Sequence, residues 1–156
     1  MKKEGKFIST NPEKATARVT INGVMLASIF VMLGVVFVDL DKFHSAGLWQ
    51  MVLSIPFLFI SSLAYTKVGY WKETKFWDLL GYITNTFGNL FLINAVGLFA
   101  FVVSPTLSFL YFGLMISLFL IFSAINIYHG KPFKIQLIKF LLSATIIFFG
   151  GIFQLI

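Results

Sequence analysis

The chain of 156 residues is 58% hydrophobic, 18% aromatic and only 12% charged, with a mean hydropathy of +0.91. A soluble domain carries about 25% charged residues, so this composition excludes a chain that coats itself with water-facing side chains. Twelve Lys and Arg against six Asp and Glu give a formal charge of +6, but the basic residues sit in short segments between apolar blocks, which fits a membrane surface and not nucleic acid. The absence of cysteine excludes disulfide frameworks, thiolate nucleophiles and cysteine-ligated metals.

Residues 1–20 form a polar basic tail, with Lys2, Lys3, Lys6, Lys14 and Arg18 against Glu4 and Glu13, expected in the cytoplasm. Asn11-Pro12 marks a turn, and Pro12-Glu13-Lys14-Ala15 suits the opening of a short interfacial helix, since proline is accepted at a first helical position. The first apolar block, 21–38, has the 17 to 25 residues needed to cross a hydrocarbon core about 30 Å thick. Its eleven Ile, Leu, Val and Phe residues sum to roughly −3 to −7 kcal/mol on an insertion scale. Asp39-Leu40-Asp41-Lys42 follows where a signal peptide would place small residues, so the block is expected to stay as an anchor.

The second block, 48–65, carries Pro56 near its middle, where a kink is expected and where neighbouring helices can re-satisfy the freed carbonyl. The third covers 79–103 and the fourth 106–128, separated only by Ser104-Pro105, which predicts a tight antiparallel hairpin. The fifth covers 135–156. The expected fold is all-α: a polytopic membrane protein in which residues 21–156 form one transmembrane domain of five helices, with the N-terminus inside and the C-terminus outside.

Charge distribution supports five spans, because lysine and arginine are retained on the cytoplasmic side. Eleven of the twelve basic residues fall in the tail, in the 66–78 connection (Lys67, Lys72, Lys75) or in the 129–139 region (Lys131, Lys134, Lys139). The twelfth, Lys42, shares its connection with two acids. Trp49 marks the outer edge, and Tyr65, Tyr70, Trp71, Trp77 and Tyr82 bracket the 66–78 connection at headgroup level. The chain shows no internal repeat, low-complexity tract or second domain. A plasma (inner) membrane is expected from size and charge bias.

Three constellations are candidates for chemistry. In the third span Asp78, Gly81, Tyr82, Asn85, Gly88 and Asn89 share one helical stripe, while Asn94 points to the opposite side. Asp78, Tyr82, Asn85 and Asn89 would line a pore or small-ligand site, or bond across helices with glycines allowing close approach. Gly113 with Ser117 and Gly150-Gly151 are expected to be packing contacts. In the outer connection Asp39, Asp41 and His44 fall within six residues, a spacing compatible with a divalent ion or an acid and base, and equally with a solvated turn. At the inner end of the fourth span, Asn126 and His129 suit a proton-sensitive switch or a helix end complemented by histidine and closed by Gly130. Lys139 is expected to snorkel to the headgroups.

No acid is placed deep in a span, and no phosphate loop, paired-histidine zinc motif, serine elbow or cofactor motif is present. The first functional expectation is therefore a non-enzymatic subunit or accessory component acting by helix association. Its partners would be the bilayer, anionic headgroups on the cytoplasmic side, and further copies of itself or another membrane protein. The alternatives are a small channel or transporter lined by the third span, and a membrane-embedded lipid enzyme using Asp39, Asp41 and His44.

Overall fold

The computed structural model describes residues 12–70 and 75–156, and these are helical almost throughout. Five α-helices follow in order: α1 (Pro12–Val36), α2 (Ser45–Tyr70), α3 (Lys75–Val103), α4 (Pro105–Tyr128) and α5 (Phe133–Gly150). All five are long and apolar enough to cross a membrane. Single 3₁₀ turns at Leu40–Lys42 and Ile152–Leu155 complete the fold. Sequence expectations that involve Lys2, Lys3, Lys6, Asn11, Trp71 and Lys72 lie outside the described residues.

The helices begin earlier than the apolar blocks. Pro12-Glu13-Lys14-Ala15 opens α1 itself, not a separate interfacial helix, and α1 continues unbroken into the apolar run. Propagating an existing helix costs less than nucleating a second one, and Pro12 with Glu13 suits its start. α2 likewise runs through Pro56 without interruption.

The described residues divide into two compact units. One holds the residues up to Leu40 with Met51–Asn89, and the other Asp41–Gln50 with Leu90–Ile156. In the first, the buried face of α2 reads Ser54, Leu58, Ser61, Tyr65 and Val68, a spacing of three and four that packs one helix stripe against its neighbours. Leu58 lies where a side chain at Gly88 would otherwise sit, and the Tyr65 ring covers Gly81. Ala15, Tyr65 and Val68 form a buried cluster flanked by Val19 and Trp77.

In the second unit Leu90, Leu98, Phe112 and Ile147 form the core. Ser104 alone is extended (φ −164°, ψ 132°) between α3 and Pro105 at the start of α4. α4 then folds back on α3, with the Ser108 hydroxyl donating to the Gly97 carbonyl at 2.7 Å. The fully buried Phe112 ring lies against Gly97 and Gly151, and a Cβ at either glycine would run into it. That assigns Gly151 the packing role expected of the glycine pair. Gly113 differs from expectation: its Cβ position meets nothing, and Ser117 donates only to the Gly113 carbonyl of its own helix.

α4 ends in a Schellman motif. The Gly130 amide donates to the Ile127 carbonyl (2.9 Å) and the Lys131 amide to the Asn126 carbonyl (3.0 Å), with Gly130 at φ +81°, where glycine carries no Cβ penalty.

Candidate functional site

Two polar clusters bridge helices, one in each unit. In the first, Asn22 on α1 donates through Nδ2 to the Ser61 hydroxyl on α2 (3.1 Å), and Ser61 donates to the Gly81 carbonyl on α3 (3.0 Å). Asn85 Oδ1 lies 3.5 Å from the same hydroxyl, a marginal alternative for its single proton. Nearby Arg18 on α1 donates to the Tyr65 hydroxyl at 2.5 Å, its guanidinium 4.8 Å from the ring centroid. This joins a hydrogen bond to a cation–π contact.

Asp78 stands in the first turn of α3 because that helix starts at Lys75, four residues before the expected span. An acid is thus buried at a helix end, only 4% exposed, with Oδ2 lacking a hydrogen-bond partner among the described residues. Arg18 acts on its charge. Asn89 Oδ1 is buried and equally unpartnered. The stripe Asp78, Gly81, Asn85, Gly88 and Asn89 therefore faces protein, with Gly81 and Gly88 packed against Tyr65 and Leu58; Tyr82 is half-buried on the same helix.

The second cluster is built from carboxamides. Asn94 Nδ2 donates to Gln50 Oε1 (2.8 Å) and to the Ile146 carbonyl (3.1 Å), while Gln50 Nε2 donates to the Gly150 carbonyl (2.6 Å). Each amide is oriented by the next, since only a donor can face the Gly150 carbonyl and only an acceptor remains for Asn94. Asn94 Oδ1 has no hydrogen-bond partner among the described residues, although the residue is fully buried.

Asp41 lies in the first 3₁₀ turn with Asp39 just before it in sequence, and His44 is occupied locally, its Nδ1 accepting the Ala46 amide (3.2 Å) at the entry to α2. Among the described residues no three His, Cys, Asp or Glu side chains are grouped to hold a metal ion. Asn126 donates to the Phe122 carbonyl one turn back, and His129 caps α4, exposed and tilted against the Tyr128 ring at 5.6 Å. The structure therefore brings Asn85 beside Ser61 of α2, buries Asp78 in the first turn of α3, and keeps Asn126 and His129 at a helix end.

Arg18, Asn22, Ser61, Tyr65 and Gln50 were not singled out as site residues by sequence reasoning. The signal was spacing: Arg18 and Asn22 lie four apart, as do Ser61 and Tyr65, which places each pair on one helix face. In comparisons with known proteins, no family model, no curated protein and no solved structure matches this chain.

Proposed function

We propose that the chain is a multi-pass membrane protein of the plasma membrane, with its N-terminus in the cytoplasm and its C-terminus outside. It acts as a non-enzymatic subunit or accessory component through helix association in the bilayer, with its cytoplasmic lysines facing anionic headgroups. The observation that carries this reading is how the polar groups are used. Asn22, Ser61, Gln50 and Asn94 are spent on bonds between helices, while large apolar side chains such as Phe30, Val31, Leu110, Phe122 and Ile138 are exposed. Apolar exposure along helices of this length matches hydrocarbon as solvent. Gly23, Gly34 and Gly113 leave open space at their Cβ positions on α1 and α4, the small-residue surface on which helices approach closely in lipid.

Reporter fusions at both ends test the topology: an inside amino end and an outside carboxyl end are expected, and both ends on one side would overturn it. Mass measurement of the protein released gently from its membrane should show a persistent oligomer or partner, and a solitary monomer would count against association.

A second reading, a conduit along α3, draws support from the buried, unpartnered oxygens of Asp78 and Asn89. Replacing Asn85 and Asn89 by leucine should abolish flux in reconstituted vesicles if it holds; unchanged flux would remove it.

A further inference from the structure

α4 carries an apolar groove of about 480 Å³ lined by Met115, Leu118, Phe119, Ile121, Phe122 and Ile125. Four of these side chains, Leu118, Ile121, Phe122 and Ile125, are about half or more exposed, and no polar residue lines the groove. Met115, Leu118, Phe122, Ile125 and His129 follow at intervals of three and four, so the groove runs along one helix face and the next position on that face is an imidazole. The Schellman motif then turns the chain at Gly130, and exposed Lys131 and Lys134 follow within five residues of His129. No acidic residue lies between Asp78 and the end of the sequence, so nothing on α4 or α5 offsets these cations.

We infer that this face binds one anionic phospholipid, its acyl chain lying in the α4 groove and its phosphate against His129, Lys131 and Lys134. The inference rests on the membrane reading above and names a specific partner for its lysine-rich side. An apolar trough that ends in cations with no acid on their own helices complements a molecule with the same division, a long hydrocarbon and a terminal anion. A neutral helix from another protein would leave the cations unmatched. Each lysine near a headgroup contributes enough attraction that losing the basic turn is expected to cost on the order of tenfold in preference for an anionic lipid.

The test uses the full chain in mild detergent, titrated with dioleoylphosphatidylglycerol or dioleoylphosphatidylcholine while bound lipid is counted by native mass spectrometry. The expected result is a preference of about tenfold for the glycerol lipid in the natural protein. It should be lost in the triple variant His129→Gln, Lys131→Gln, Lys134→Gln and kept in Lys67→Gln. Leu118→Trp, which fills the groove, should weaken both lipids. Equal binding of the two lipids by the natural protein, or an unchanged preference in the triple variant, would overturn the site while leaving the membrane reading intact. Failure of the protein to enter phosphatidylcholine vesicles at all would overturn both.

Discussion

The two compact units hold their helices together by different means. In the first, one hydroxyl, that of Ser61, links three helices by accepting from Asn22 and donating to Gly81, and the buried oxygens of Asp78 and Asn89 are left over. In the second, two carboxamides face the carbonyls at the end of α5, and Phe112 is clasped between Gly97 and Gly151. Under the membrane reading proposed above, apolar burial does not favour a helix neighbour over an acyl chain, so shape and hydrogen bonds decide which helices meet. The second unit adds a clasped ring to three carboxamide bonds, whereas the first closes on one hydroxyl and the Arg18–Tyr65 contact. They should respond differently to the same kind of mutation.

Gly97→Val strikes shape and should have the largest effect. Its Cβ would run into the tip of the Phe112 ring, and the Gly151 side blocks the ring's retreat. Overpacking of this kind costs roughly 1–3 kcal/mol and sometimes more, visible as a large drop in melting temperature of the detergent-solubilised protein. Gly113→Val, with open space at its Cβ, should leave the melting temperature in place. A tolerated Gly97→Val would mean that Phe112 is not locked.

Removing a polar link should cost as much or less. Asn94→Leu deletes the donor to both Gln50 and the Ile146 carbonyl and leaves buried acceptors behind, about 1–3 kcal/mol. Ser61→Ala removes the hinge of the first unit, and membrane hydrogen bonds average about 0.6 to 2 kcal/mol each. Thermal unfolding of the two variants side by side should order them in that sense. If Ser61→Ala were silent, the three-helix link would not hold the unit.

Much of this was legible beforehand. Runs of apolar residues with aromatic edges announced five helices, because length and hydropathy are additive along the chain. The face of Asn85 and Asn89 against that of Asn94 followed from the 100° turn per residue, and the structure indeed gives Asn94 separate partners. Helix ends were less legible. Lys75, Phe76 and Trp77 were assigned to a connection because their hydropathy is mixed, yet they belong to α3, and this alone carries Asp78 into a buried turn. Partner identity was not legible at all: nothing in a single helix shows that Ser61 meets Asn22 or that Arg18 lies over Tyr65, since those depend on how helices come together.

Asp78→Asn should have the smallest effect and the opposite sign from the others. A carboxylate with a buried, unpartnered oxygen bears a desolvation cost that a carboxamide of the same shape avoids. Against this stands the loss of its attraction to Arg18, whose guanidinium is already engaged by the Tyr65 hydroxyl and ring. The two effects oppose each other, and the melting temperature should stay level or rise, by no more than the equivalent of about 1 kcal/mol. A double-mutant cycle with Arg18→Gln isolates the pair. A small coupling, within about 1 kcal/mol, would show that Arg18 serves Tyr65 first. A large coupling, with Asp78→Asn as damaging as Ser61→Ala, would show instead that Arg18 leaves Tyr65 to bridge α1 and α3 directly, and the first unit would then be closed by charge as well as by its hydroxyl.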